Sequence, residues 1–249
     1  MHWLVVGASP DLRQQILDNP VLHPRRGPRG TPIIGVALVS ADIDGIAGLF
    51  ALRERQDLVI YAPGSILEVL RDNAVFDVLD PALVRQVEVQ PGRAVNCGHG
   101  LSLALLPMPG KLPLYLEDRA AADAEPGPAY AAMVRAHSRT AVMAPACAEV
   151  TDAVRAQFDE ADLVFFDGTL YTDDEMRTAG VGTKSGRRMG HAPMSGPAGS
   201  LARLKDLPGR LIYLHINNTN PVLLADSPER AEVEKAGFEI AYDGMEVRL

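Results

Sequence analysis

The chain has 249 residues, 47% of them hydrophobic and 22% charged, a balance that excludes a disordered or fibrous protein. Twenty-four basic residues against 32 acidic ones give a net charge of −8, the wrong sign for general binding to nucleic acid or to an anionic membrane. Cys97 and Cys147 are the only two cysteines, which leaves neither a disulfide framework nor a cysteine-rich zinc module and suits a reducing compartment.

Met1-His2-Trp3 leads straight into a strand-like segment, Trp3 to Gly7, without the charged and apolar regions of a signal peptide. Ser9-Pro10-Asp11 then reads as the start of a helix, with Ser9 as N-cap and Pro10 at the first helical position. The proline- and glycine-rich stretch from Asn19 to Pro32 is a loop. Pro32 to Val39 is a continuous apolar run, as a buried parallel strand requires. The longest apolar stretch, Thr31 to Leu52, is broken by Asp42 and Asp44, so no membrane insertion is expected. Ile46 to Arg53 reads as helix, Leu58 to Ala62 as strand and Ser65 to Arg71 as helix. Strands follow at Arg85 to Val89, Leu101 to Met108, Tyr130 to Arg135 and Thr140 to Met143, the last two joined by a turn at His137-Ser138-Arg139. Asp118 to Pro128 is expected as an exposed loop. Val150 to Asp159 is helical, and Leu163 to Phe166 is a buried strand ending at Asp167-Gly168-Thr169. Thr172-Asp173-Asp174-Glu175 fits a capping box. Leu201 to Leu204 is helical, Leu211 to Leu214 a strand, and Ser227-Pro228-Glu229 caps a last helix. Glu239 to Tyr242 and Glu246 to Leu249 close the chain as strands. No linker interrupts this α/β alternation, so residues 1–249 are read as a single domain, cytoplasmic in location.

Three apolar strands end in chemically capable residues: Asp42 and Asp44, then Asp167, then His215 with its asparagines. Strand ends that meet at one edge of an α/β core are where ligands sit. In an extended segment Asp42 and Asp44 point to one side and can share a cation, or they belong to a solvated turn. His191, beside Gly190, is a candidate metal ligand or acid–base group, or a surface histidine. His215 is followed by Asn217, Asn218, Thr219 and Asn220, whose burial is costly without partners. A ligand or a tight hydrogen-bonded turn must satisfy them. Gly180-Val181-Gly182-Thr183-Lys184-Ser185 imitates a phosphate loop but lacks the glycine before Lys184, and a helix precedes it.

Placed in order, Gly7-Ala8-Ser9-Pro10-Asp11, Asp167-Gly168-Thr169, Gly180-Val181-Gly182-Thr183, Arg188-Met189-Gly190-His191 and His215-Ile216-Asn217-Asn218-Thr219-Asn220-Pro221 resemble one family nearly end to end. It is the pyrroloquinoline quinone (PQQ) biosynthesis protein B family of the metallo-β-lactamase superfamily. The resemblance implies an α/β fold, the metallo-β-lactamase-like αββα four-layer sandwich. The family's opening strand and its Cys-x-Cys-x-x-Cys zinc motif lie upstream of the point where this sequence starts, so the first strands are expected to be lacking. The implied metal site, for Fe(II) or Zn(II), draws on Asp42, Asp44, Asp167, His191 and His215, and Asn217, Asn218 and Asn220 are the implied substrate-binding residues.

The implied function is a step in PQQ biosynthesis: an iron-dependent oxygenase acting on a tyrosine-derived precursor, or transport of PQQ or its precursor towards the periplasm. A metal-dependent hydrolase and a non-catalytic PQQ-binding carrier are the alternatives. PQQ or a precursor is the expected partner, nucleic acid is not, and a homo-oligomer is left open. Against the superfamily motif His-x-His-x-Asp-His, Ser40 and Asp42 fall at the first two ligand positions, Asp44 at the aspartate and Gly45 at the final histidine. Glycine has no ligand atom, so the chain is expected to bind metal weakly, with any ion held mainly by His191, His215 and neighbouring aspartates. Gly45→His is accordingly expected to tighten the dissociation constant for iron or zinc in folded protein, and an unchanged constant would count against this alignment.

Overall fold

A computed structural model describes residues 2–25, 27, 30–117 and 129–249. The stretch Asp118 to Pro128, expected as a loop, lies outside them. The chain divides into two compact units, Met1–Leu105 with Pro113–Ala120, and Leu106–Leu112 with Ala121–Leu249.

The first unit alternates strand and helix: β1 (Trp3–Val6), α1 (Leu12–Asp18), β2 (Ile33–Ala37), α2 (Ile43–Ile46), β3 (Leu58–Ala62), α3 (Gly64–Arg71) and β4 (Val84–Glu88). The antiparallel hairpin β5 (Val95–Gly98) and β6 (Leu101–Met108) follows, β6 running on into the second unit, and α4 (Leu114–Glu117) completes the set. The four strands β1-β2-β3-β4 form an all-parallel sheet in that order, with β1 at one edge. Parallel strands are covered on both faces, which explains why β2 and β3 are apolar almost throughout. Val36, Leu38, Leu49 and Ile60 are fully buried there, and α3 turns Ile66, Leu67 and Leu70 inward.

Local differences from the expected elements have local causes. Helix α1 starts at Leu12 rather than at Pro10, because Pro10 and Asp11 form a turn and Ser9 contributes its carbonyl, not its hydroxyl, to the Leu12 amide (3.0 Å). The helix expected from Ile46 to Arg53 is a four-residue α2 followed by a 3₁₀ segment, Ala47–Leu52. Gly45 and Gly48 both lower helix propensity here. Gly48 is needed for another reason, since a Cβ at that position would lie 2.2 Å from the Ser9 carbonyl oxygen.

The second unit contains β7 (Ala129–Ala136), β8 (Arg139–Ala144), α5 (Asp152–Ala156), β9 (Leu163–Asp167), α6 (Glu175–Thr178), α7 (Ser200–Leu204), β10 (Arg210–Leu214), α8 (Pro228–Lys235) and β11 (Phe238–Ile240). Its strands lie in the order β11-β10-β9-β8-β7; β7 and β8 form an antiparallel hairpin and the rest of the pairs are parallel. Thr151 and Ser227 cap α5 and α8 through side-chain oxygens, as Ser227 was expected to do. Helix α5 is shorter than the expected Val150 to Asp159, giving way to turns after Ala156. Residues 246–249, expected as a strand, carry no regular structure, because the chain turns at Asp243-Gly244, with Gly244 at φ +82°, and leaves the sheet. Phe158 packs edge-on against Phe166, and Tyr213 stacks on Phe238 at 5.0 Å, forming the aromatic part of this unit's core. The β9–β10 register pairs Asp167 with Leu214. The residues that follow these two strands therefore emerge side by side at one sheet edge. No helix among the described residues is long and apolar enough to cross a membrane.

Candidate metal centre

Asp167 ends β9 with no exposed surface. One carboxylate oxygen accepts from the Thr169 amide (3.1 Å) and the Thr169 hydroxyl (2.6 Å). The other accepts from the Cys147 amide (3.0 Å) and lies 2.8 Å from His191 Nδ1. Between Asp167 and Thr169 any residue larger than glycine would need its neighbours to give way. The Gly168 amide donates to the Leu214 carbonyl at 2.8 Å, and a Cβ on Gly168 would sit 3.0 Å from that oxygen and from the Tyr213 Cβ.

His191 follows a 3₁₀ turn, Arg187–Met189, closed by Gly190 at φ +90°. Its amide donates to the Gly186 carbonyl at 2.9 Å. His215 comes directly after β10 and holds φ +57°, a left-handed conformation that costs a non-glycine residue free energy. The two imidazoles stack with centroids 5.3 Å apart and planes 20° from parallel. Thr169 Oγ1 lies 3.0 Å from His191 Nδ1 and 2.8 Å from His215 Nδ1. Asp167, His191 and His215 each offer one ligand atom, and these atoms lie within 4.8 Å of one another.

Of the expected metal-site residues, these three are brought together. Asp42 and Asp44 belong to the first unit and are not in this group. Of the two alternatives for Asp42 and Asp44, the extended pair is the one the structure does not show: Asp42 is the extended N-cap residue of α2, and the helix has begun by Asp44. The Asp42 carboxylate accepts from the Ser40 hydroxyl at 2.7 Å, and Asp44 is exposed in the first helical turn. A Cβ at Gly45 would come 3.0 Å from the Ser40 carbonyl oxygen, so a side chain there requires a small shift.

The asparagines divide. Asn220 is buried, with its amide nitrogen donating to the Gly168 carbonyl (2.9 Å) and its oxygen accepting from Val222 N (3.1 Å). Both ends of that side chain brace the loop, which corrects its reading as a substrate contact. Asn217 donates to Thr219 Oγ1 at 2.7 Å, and Asn218 is exposed.

Sequence reasoning missed Thr169, Cys147 and Glu175. The capping box at Thr172 to Glu175 does not form, since the N-cap of α6 is Asp174 without a side-chain bond. Glu175 is instead buried, accepting from Tyr171 N (2.7 Å) and from Thr219 Oγ1 (2.5 Å), so it ties the His215 loop to α6. The Asp-Gly-Thr triplet carried the signal for Thr169; Cys147 had no local signal.

A model of the beta-lactamase superfamily domain matches residues 2–216. The chain is 48% identical to the coenzyme PQQ synthesis protein B of Methylobacterium nodulans over 250 residues, which cover 100% of this chain and 84% of that protein. Its structure matches a crystal structure of Zn(2+)-bound PqqB from Methylobacterium extorquens at TM-score 0.95 and 44% identity, covering 100% of this chain and 84% of that one. The chain belongs to the PQQ synthesis protein B family. The metallo-β-lactamase fold expected for that family is therefore the fold of this member, and the likeness extends to the metallo-β-lactamase fold protein YhfI of Bacillus subtilis at TM-score 0.69 and 16% identity, covering 98% of this chain and 86% of that one. In this PqqB-family chain Cys147 is fully buried beside Asp167, its thiol donating to the Glu149 carbonyl at 3.2 Å. Burial first, then the neighbouring Asp167 charge, pushes the thiol pKa up to about 12. Since its unfolded value is lower, Cys147 contributes stability that is present below the unfolded thiol pKa and lost as pH rises towards 12. The Cys147→Ala variant is expected to show a flatter fall in stability over that alkaline window in urea titrations; an identical pH slope would refute the assignment.

Proposed function

We propose that this protein binds a divalent metal ion at Asp167, His191 and His215 and acts as a non-haem Fe(II) oxygenase on a tyrosine-derived PQQ precursor. The observation that carries the reading is the buried Asp167 carboxylate with two imidazoles close by. Two histidines and one carboxylate are the donor set associated with non-haem Fe(II) oxygenases, and a fully buried negative charge favours a cation beside it. Bound Fe(II) would supply the means of activating oxygen. The chain's own residues do the rest: Asp167 holds negative charge out of water, His191 and His215 offer their ring nitrogens, and the exposed Asn218 amide is left to meet a polar substrate.

The family's role in PQQ synthesis supports PQQ or its precursor as the partner. The relative from Methylobacterium extorquens is Zn(2+)-bound, which supports metal binding by this chain. Both cysteines are unpaired and buried, which supports a cytoplasmic location. The superfamily model runs through both compact units, which supports reading residues 1–249 as one domain.

Anaerobically purified protein is expected to carry iron. His215→Ala should weaken metal binding by more than about a hundredfold, beyond the losses typical when only an outer partner is removed. Zinc with hydrolytic activity would replace the oxygenase by a hydrolase, and a protein that takes up neither metal would be a carrier.

A further inference from the structure

We propose that the glycine-rich loop from Gly180 to Gly186, with the turn that follows it, is the recognition segment of this centre, and that Lys184 and Arg188 bind the carboxylate of the aromatic substrate. The proposal rests on the metal-centre reading above and adds the part of the substrate that is grasped. The loop is strung between the surroundings of the two imidazoles. At its start the Val181 and Gly182 amides donate to the Met176 carbonyl at 3.1 and 3.2 Å. The Met176 sulfur accepts at 3.3 Å from the side-chain amide of Asn217, in the loop that His215 opens. At its end the Gly186 carbonyl accepts from the His191 amide at 2.9 Å, and the Gly186 amide donates to the Asp173 carbonyl at 2.8 Å. Lys184 and Arg188 therefore belong to a segment pinned beside both histidines.

Charge gives that position a chemical meaning. The chain carries a net charge of −8, yet no acidic residue occurs between Glu175 and Asp206, where Arg177, Lys184, Arg187, Arg188, Arg203 and Lys205 all fall. Arg187 and Arg203 are turned to backbone carbonyls, Arg187 to those of Ala148 and Ala198 and Arg203 to that of Val150. Lys184 is half-buried and Arg188 exposed, and they bracket the start of the 3₁₀ turn that leads into His191. Arg188 makes no ion pair among the described residues. The Val181, Gly182 and Gly186 amides are all spent on protein carbonyls, so this stretch is no phosphate cradle and recognition of an anion falls to its side chains. A divalent ion offset by the Asp167 carboxylate leaves the centre positive as well. A carboxylate complements both charges, and ammonium and guanidinium groups hold it through charge-assisted hydrogen bonds.

The test compares L-tyrosine with L-tyrosinamide, which keeps the ring and the amine but has no carboxylate. Binding of each is measured by calorimetry on zinc-loaded protein, with the metal content of every sample checked. The unaltered chain should prefer L-tyrosine. Lys184→Gln and Arg188→Gln should each weaken L-tyrosine binding roughly tenfold, as loss of one hydrogen bond to a charged group does, and leave L-tyrosinamide unaffected. The double variant should lose the preference, and Lys184→Arg, which keeps the charge, should retain it. Arg177→Gln, on α6 outside the loop, is the control and should bind both probes as the unaltered chain does. Equal affinities for the two probes, no binding of either, or a preference that survives in the double variant would each overturn the proposal. So would an Arg177→Gln loss as large as that of Lys184→Gln, which would reduce the effect to general surface charge. If the double variant does not fold, the single variants decide. Failure of the underlying reading looks different: the unaltered protein would take up no zinc, whereas failure of the recognition role alone leaves the zinc in place and the preference insensitive to residues 184 and 188.

Discussion

A carboxylate with no exposed surface is costly to hold in a folded chain, by several kcal/mol even after relaxation, unless donors surround it. Asp167 is such a group, and the sheet edge of the second unit is built around it. The Thr169 and Cys147 amides, the Thr169 hydroxyl and the His191 ring reach its two oxygens from three separate loops. Removing the carboxylate would leave those donors facing one another, so the same group organises the loops and would supply the charge for the proposed cation.

The parallel pairing of β9 with β10 converts this local requirement into a site. Because Asp167 and Leu214 are register partners, His215 starts its loop next to Gly168. The approach is close enough that a side chain at residue 168 would need its neighbours to shift, and His215 takes the left-handed region beside it. Strain of that kind costs on the order of 1–3 kcal/mol per residue and persists only where neighbours hold it. The neighbours here are Asn220, bonded to the Gly168 carbonyl, and Glu175, bonded to Thr219. His191 arrives by another route, through the left-handed Gly190. The geometry of the proposed ligands is thus set largely by residues that would never touch a metal.

Much of this was legible in the order of residues. Buried strands announce themselves as continuous apolar runs, so Leu58 to Ala62 in the parallel sheet and Leu101 to Met108 in the antiparallel hairpin were read with their observed limits. Asp167, His191 and His215 stood out because each follows a strand or a glycine turn. What local pattern does not carry is the partner across the fold. Glu175 looked like a cap because its spacing from Thr172 is right, yet its carboxylate is drawn to Thr219, 44 residues on. Asn220 looked like a ligand contact because it is polar beside a histidine, but burial turned its amide to the backbone. Asp42 and Asp44 read as a pair only while the segment stayed extended, and the start of α2 between them removes that condition.

The central claim is that Asp167, His191 and His215 hold a metal ion. Anomalous X-ray diffraction from crystals of zinc-loaded protein tests it most directly. The account predicts a peak contacted by ring nitrogens of both His191 and His215 at about 2.0–2.1 Å, the usual zinc–imidazole distance, beside the Asp167 carboxylate. A peak held by other side chains, with these three residues left without metal, would contradict it.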